Sequence, residues 1–157
     1  MSLLGSQPRY ANVLKMVADK SRWGTPAAAG RTRGIALMEG YDIYMVMVAD
    51  LGRMVNPDTV EAQIQSRIIF GPTAALYGEI NVDKSRVQQT DFNTYKMVRM
   101  NEAPAIDITL VASTEKPGGI GEPATALIGP AVASAIFAAN GKRLRKMPFT
   151  PENIMSA

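Results

Sequence analysis

The chain has 157 residues, of which 46% are apolar and 20% are charged, and its formal net charge is +3. This length and composition are typical of a folded domain with a hydrophobic core, so residues 1–157 are predicted to form a single domain. Because the sequence contains neither Cys nor His, its own side chains exclude Cys/His zinc centres, thiol nucleophiles, cysteine-ligated iron–sulfur clusters and Ser-His-Asp catalysis.

The first third of the chain predicts a helix followed by a strand. Apolar residues recur at helical spacing between Arg9 and Arg22. From Gly34 to Val48 the apolar residues alternate, which is typical of a strand, and Gly40 is expected to bend it.

The next pattern predicts a long helix from Val60 to Leu76. Asp58 and Thr59 are its candidate N-cap residues, because a short polar side chain can accept a free backbone N–H there. Gly71-Pro72 interrupts the pattern, so we expect a kink or two separate helices. The side chains expected on the buried side are Ile64, Ile68, Ile69, Ala75 and Leu76.

The second half predicts short strands and a final helix. Two strand patterns, Glu79–Val82 and Arg86–Gln89, flank a turn, and a third strand is expected at Ala105–Ala112. A helix is predicted from about Pro130 to Asn140, ended by Gly141. This order of elements favours an α+β fold with a mixed sheet and packed helices.

The charge and hydropathy patterns argue against two kinds of partner. No run of about 18 uninterrupted apolar residues occurs, so no membrane insertion is predicted. The basic run at residues 142–146 is interpreted as the solvated end of a helix, since cations favour helix C-termini and no aromatic side chains alternate with the charges. No nucleic-acid partner is therefore expected. The first residues lack the apolar core of a signal peptide.

The most informative local pattern is the glycine loop at residues 116–122, in which three glycines precede a lone carboxylate, Glu122. Glycines let backbone N–H groups approach a ligand closely, and a carboxylate held in a fixed place can act as a general base. An apolar run follows at Ala124–Asn140, so the loop delivers Glu122 to the start of a helix. From the residues alone, Glu122 can equally be a first-turn acid that complements the helix dipole, and Gln63 a polar residue at a helix boundary.

Five motifs follow one another along the chain: Gly34-Ile35-Ala36, Val55–Ile64, Tyr95–Pro104, Gly118–Pro123 and Ala135–Arg145. In this order they resemble motifs of the molybdenum hydroxylases of the xanthine dehydrogenase and aldehyde oxidase family. The likeness is to the C-terminal part of the molybdopterin-binding subunit, especially in isoquinoline 1-oxidoreductase beta subunit-like proteins, and implies the fold of that cofactor-binding domain. Arg67 departs from the small or apolar residue that the family favours.

The resemblance implies a role for each candidate site residue. Glu122 would be the catalytic base, while the Gln63 amide and the backbone of Gly119, Ile120 and Gly121 would bind the pterin cofactor. It implies no metal ligand from this chain. The implied function is the C-terminal cofactor-binding portion of a hydroxylase that acts on aldehydes or N-heteroaromatic compounds, with water as the oxygen source. The alternative is a non-catalytic ligand-binding or scaffold domain that reuses this fold.

The resemblance also implies cofactors and partners. The cofactor would be the molybdenum cofactor, a molybdopterin in its cytosine dinucleotide form, held by the complete subunit. The partners would be the rest of the molybdenum subunit and a small 2Fe-2S subunit that carries the iron–sulfur clusters, with a cytochrome c as a further candidate. The compartment stays open between bacterial cytoplasm and periplasm.

The family's molybdenum subunit is several times longer, so this chain is expected to be a C-terminal fragment that is inactive alone. A fragment of this kind exposes apolar surface, which favours self-association. The family pattern also has a further strand and turn where residues 48–50 abut, which indicates a missing segment at that point.

Overall fold

The computed structural model describes residues 6–40, 43–45 and 48–157. These residues form an α+β fold, as the sequence predicts, with a mixed sheet and packed helices. A short 3-10 helix lies at Met100–Glu102. The helices are α1 (Pro8–Lys20), α2 (Pro57–Leu76), α3 (Pro123–Asn140) and α4 (Pro151–Met155), and the strands are β1 (Met38–Gly40), β2 (Ile43–Met45), β3 (Val48–Asp50), β4 (Val82–Asp83), β5 (Arg86–Val87) and β6 (Thr109–Leu110).

A four-stranded sheet with the order β1-β2-β3-β6 supports the helices. The β1–β2 and β2–β3 pairs are antiparallel, whereas β3 and β6 are parallel, with Val48 opposite Thr109 and Ala49 opposite Leu110. A parallel pair needs a long crossover connection, and here that connection contains α2. All three residues of β3 are buried, so this strand is the centre of the fold.

The strands are shorter than the sequence predicts. The expected strand at Gly34–Val48 is divided into β1, β2 and the start of β3, and its positions 41–42 and 46–47 lie outside the described residues. The expected strand at Ala105–Ala112 shrinks to Thr109–Leu110, because its pairing partner β3 has only three residues. The predicted hairpin is present as β4 and β5.

The two-residue turn between β4 and β5 explains why the hairpin forms at this point of the chain. Lys84 and Ser85 both have positive φ, at 48° and 62°. Two consecutive residues with positive φ match the twist of two antiparallel strands joined by a two-residue loop. The hairpin is exposed on all four of its strand residues.

Helix α2 corrects two predictions. It runs without a break through Gly71-Pro72, so the expectation of two helices is wrong, and its N-cap is Asn56 rather than Asp58 or Thr59. The Asn56 side chain accepts a hydrogen bond of 3.2 Å from the Thr59 N–H. Pro57 occupies the first helical position, where its fixed φ and missing N–H cost nothing. Of the five side chains expected to be buried, Ile64, Ile68 and Ala75 are buried, and Ile69 and Leu76 are half-buried.

Helix α3 begins at Pro123, immediately after Glu122. This confirms that the loop delivers Glu122 to the start of a helix, whereas the predicted start near Pro130 is wrong. Pro130 lies inside the helix. Helices α2 and α3 pack closely, since a Cβ atom on Gly71 would overlap the side chain of Ile128. The main core lies between these two helices and the sheet, and its buried members are Ala49, Leu51, Ile64, Ile68, Ala124 and Leu127.

Helix α1 confirms the predicted N-terminal helix. It packs against β3 at Val48, next to the Ala49 position that belongs to the main core. Val13 and Val17 form a second buried cluster with Val48. Arg9 makes a bidentate ion pair with Asp50, with Nε–Oδ2 and Nη2–Oδ1 distances of 2.9 and 2.6 Å. The Asp50 side chain is only 6% exposed, so this pair fixes α1 to the centre of the sheet.

The C-terminal segment corrects the interpretation of the basic run. Gly141 ends α3 as predicted, with φ of 75° and an N–H bonded to the Phe137 carbonyl at 2.8 Å. The basic run therefore begins beyond the helix. Lys142 donates to the carbonyls of Ile154 and Met155, at 2.9 and 2.8 Å, and Arg143 lies 4.1 Å from the centre of the Phe137 ring.

Helix α3 is also relevant to the membrane prediction. Although it contains no uninterrupted apolar run of about 18 residues, it is long and apolar enough on average to cross a membrane, and among the described residues it alone meets that test. This is a weak indication, since core helices of soluble proteins and signal sequences meet the same test.

The Arg9–Asp50 pair predicts an acid-sensitive contribution to stability. The hydrogen bond from Arg9, helped by the Gly52 N–H, holds the pKa of the Asp50 carboxyl below its ordinary value. The stabilisation is therefore complete above the unfolded-state pKa of about 4 and is lost as the pH falls through the lower folded-state pKa. Asp50→Asn should reduce the free energy of unfolding at pH 7 by about 2 kcal/mol, measured by urea denaturation.

The control is Asp19→Asn, which removes a carboxylate from the exposed Lys15–Asp19 pair on α1. That change should cost no more than about 0.5 kcal/mol. The difference between the Asp50→Asn variant and the parent should shrink as the pH falls below about 4. Equal effects of the two substitutions at pH 7 would contradict the role given to Asp50.

Candidate functional site

The glycine loop is fixed at its start by the turn that follows β3. The Gly118 N–H donates to the Leu51 carbonyl at 2.8 Å, and the Arg53 N–H donates to the Glu115 carbonyl at 3.0 Å. Gly52, between these two contacts, has φ of 78°, and a Cβ there would overlap the Lys116 carbonyl. Only glycine satisfies both conditions without strain. The central strand therefore determines where the loop starts.

The middle of the loop is fixed by one apolar side chain. Ile120 is half-buried and packs against the main core, whereas Gly119 and Gly121 on either side are exposed. A Cβ atom built on Gly121 would meet nothing within 4 Å. Ile120 thus holds the backbone of the loop against the core, while Gly119 and Gly121 remain exposed.

Glu122 is the N-cap residue of α3, and its carboxylate makes no capping hydrogen bond. Pro123, at the first helical position, is buried. The carbonyl of Glu122 accepts the Thr125 N–H at 2.9 Å, so its backbone is part of the helix start while its side chain is exposed. A helix-capping role would require the carboxylate to accept a helix N–H. The structure gives the carboxylate no such partner among the described residues, which leaves it accessible to a reactant.

Helix α2 contacts the loop through Arg67, a residue that the sequence analysis did not include in the site. The Arg67 Nε donates to the Gly121 carbonyl at 2.5 Å, directly before Glu122. Gln63 lies four residues earlier in α2 and is exposed. Residues spaced by four share one helix face, so Gln63 and Arg67 lie on the same side of α2. The sequence could have indicated Arg67, because Arg67 lies four residues after Gln63 and is a cation at a position where the family favours small or apolar residues.

The candidate site thus combines one exposed amide, two exposed glycines and one exposed carboxylate, which belong to Gln63, Gly119, Gly121 and Glu122. Amides and backbone groups both donate and accept hydrogen bonds, which suits the edge of a pterin ring. Residues 6–40, 43–45 and 48–157 contain no cluster of three acidic side chains that could hold a metal ion directly.

A separate cluster fixes the segment that precedes the loop. Tyr77 donates to Glu102 at 2.7 Å, and Glu102 also accepts the Arg99 N–H at 2.9 Å. The bond from Arg99, followed by that from Tyr77, lowers the pKa of Glu102, and the same contact raises the pKa of Tyr77. Lys96 lies 4.0 Å from the centre of the Tyr77 ring. These exposed contacts attach residues 96–102 to the end of α2.

Comparisons with known proteins identify the relatives of this chain. Residues 43–104 match the family described as the molybdopterin cofactor-binding domain. The beta subunit of isoquinoline 1-oxidoreductase from Brevundimonas diminuta is 29% identical over 171 residues, covering 94% of this chain and 22% of that protein. The membrane-bound aldehyde dehydrogenase (pyrroloquinoline-quinone) of Gluconacetobacter polyoxogenes is 29% identical over 177 residues, covering 97% of this chain and 23% of that protein. The structure of quinoline 2-oxidoreductase from Pseudomonas putida 86 has a TM-score of 0.63 at 26% identity, and the match covers 72% of this chain and 15% of that chain.

The family match and the fold together identify a molybdopterin cofactor-binding domain. More particularly, the chain belongs to the molybdenum-binding subunits of the xanthine dehydrogenase and aldehyde oxidase family. It spans between a fifth and a quarter of the length of these two relatives, at 22% and 23%. The matched family segment includes Gln63 and ends before the glycine loop.

The contact between Arg67 and Gly121 predicts that α2 restrains the glycine loop. Arg67→Met keeps the aliphatic stem and removes the donor, so the loop should open more often. Amide hydrogen exchange at Gly118 should become roughly 3- to 10-fold faster, the factor that corresponds to the net value of one hydrogen bond. Arg86→Met, in the exposed hairpin, is the control and should leave exchange at Gly118 unchanged. Identical exchange in the Arg67→Met variant and the parent would show that the contact does not hold the loop.

Proposed function

We propose that this chain is the C-terminal cofactor-binding portion of a molybdenum hydroxylase and that Glu122 is its general base. The observation that carries the proposal is the exposed, uncapped carboxylate of Glu122 at the end of a loop fixed by Ile120 and Arg67. A general base needs a fixed position and an accessible, ionised oxygen. In a purely structural N-cap, the same carboxylate would be hydrogen-bonded to the helix.

The substrate class follows from what the relatives are named for. Two are named for the N-heteroaromatic rings isoquinoline and quinoline, and one for aldehydes. We therefore assign this chain to an enzyme that hydroxylates aldehydes or N-heteroaromatic compounds, with water as the source of oxygen.

The cofactor of the proposed enzyme is a molybdopterin, in its cytosine dinucleotide form, bound by the complete subunit. When bound, it supplies the redox-active metal that takes up the electrons of the oxidation. The exposed Gln63 amide would donate to and accept from the pterin, and the backbone of Gly119, Ile120 and Gly121 would line the same cofactor. Glu122 would accept a proton during hydroxylation and release it to solvent afterwards.

Further subunits complete this site in our proposal. The chain has no Cys, so iron–sulfur clusters would reside in a small 2Fe-2S partner subunit, and a cytochrome c could accept the electrons. The rest of the molybdenum subunit would cover the apolar side chains that are exposed here, which favour self-association when the chain is alone. Val55, Phe92 and Met100 are 98%, 77% and 97% exposed. The chain alone is therefore expected to be inactive.

The proposal includes a single domain from residue 1 to residue 157 and a segment missing near residues 48–50. The comparison with the isoquinoline 1-oxidoreductase subunit supports extra residues in the relative within the aligned region. That alignment extends over 171 positions. Only 94% of the 157 residues of this chain take part in it, which is fewer than 171 residues. The relative therefore has residues with no counterpart here.

Glu122→Gln in the complete enzyme tests the proposed base. The substitution keeps the shape of the side chain and removes its ability to accept a proton. Turnover should fall by about 10²- to 10⁴-fold, the range for loss of a general base, while molybdenum content stays at the parent level. Glu115→Gln, an exposed change of the same kind before the loop, is the control and should retain activity. Near-normal turnover by the Glu122→Gln variant, loaded with molybdenum, would refute the assigned role.

A further inference from the structure

A cavity of about 360 Å³ lies between α1, α2, α3 and the sheet. Its volume falls within the range of small-molecule sites, about 300–1,000 Å³. None of the candidate site residues Gln63, Gly119, Ile120, Gly121 and Glu122 lines it. It is therefore distinct from the surface on which Glu122 lies.

The inner part of the cavity is apolar and reaches the main core. Ala49, Ile64 and Leu127 line it and are themselves only 2%, 3% and 6% exposed. Val17 of α1 and Ile35 close its sides. Since these walls offer no hydrogen-bonding side chains, they favour an apolar occupant over water.

The mouth of the cavity is polar and is held in place by hydrogen bonds. Thr32 donates to the Ala135 carbonyl of α3 at 2.9 Å, which ties the mouth segment to the helix. The Arg33 Nη1 donates to the Thr25 carbonyl at 2.5 Å, which orients the guanidinium. Within the described part of the chain, Arg33 forms no ion pair with a carboxylate. An oriented guanidinium with unused donors is well suited to bind a carboxylate.

We propose that this cavity binds a monocarboxylic acid with an apolar body, of the medium-chain fatty acid type. The apolar body occupies the cavity between α2, α3 and the sheet, and the carboxylate pairs with Arg33 at the mouth. An apolar compound without the acid lacks the ion pair, and a short acid without the apolar body lacks the burial that drives binding. The proposal does not depend on the molybdenum chemistry.

The chain carries its own reporter for this site. Trp23, its one tryptophan, lines the mouth of the cavity. Titration with decanoate below its micelle concentration should change the Trp23 emission in a saturable way. Decanol, which lacks the charge, and acetate, which lacks the apolar body, should bind at least about tenfold more weakly, since each loses one of the two interactions. Absence of a saturable signal with decanoate would overturn the proposal, as would equal binding of decanol.

Two variants with matched controls locate the site. Arg33→Gln should weaken decanoate binding about tenfold and leave decanol binding unchanged, whereas Arg31→Gln, in the same segment but outside the cavity, should change neither. Ala36→Leu fills the cavity and should abolish binding, whereas Ala139→Leu, on the exposed end of α3, should not. If circular dichroism shows that Ala36→Leu does not fold, Ile68→Phe fills the same space. Decanoate binding that is unaffected by Arg33→Gln and by the filled cavity would overturn the assignment.

Discussion

The close contact between α2 and α3 determines where the glycine loop and Glu122 lie. Gly71 has no side chain, and this allows the α3 residue Ile128 to approach the α2 backbone. Ile64 and Ile68 can then pack with the start of α3 in the main core. The same packing brings Arg67 within hydrogen-bonding distance of Gly121. The position of Glu122 therefore follows from helix packing as much as from the loop itself.

This packing joins two segments that are distant in the sequence into one surface. Arg67 and Gly121 are 54 positions apart, yet their contact places the Gln63 face of α2 beside the glycine loop. The proposed enzyme needs such a surface because the cofactor performs the oxidation while the protein holds it and moves a proton. The hydrogen bond between the Gly118 N–H and the Leu51 carbonyl attaches the other end of the loop to the segment that follows the central strand.

Local patterns in the sequence predict elements whose stability is local, and they miss contacts that are tertiary. The periodicity of α1 and α2 is visible because each buries one side. Pro57 and Pro123 at first helical positions could have identified Asn56 and Glu122 as N-cap residues. The short parallel pairing of β3 with β6 and the contact of Arg67 with Gly121 connect remote segments, so periodicity cannot reveal them. The role of Glu122 came from the family resemblance, because a carboxylate after glycines has several structural explanations.

In the proposed enzyme, α2 and the glycine loop hold one cofactor between them. The measurement that tests this arrangement is the molybdenum and pterin content of the complete subunit carrying Gln63→Ala, compared with that of the subunit carrying Gln65→Ala. Gln65 lies on the same helix, but its side chain is bonded to Glu61. Cofactor content should fall severalfold with Gln63→Ala and stay at the parent level with Gln65→Ala. Equal cofactor content in both variants would contradict it.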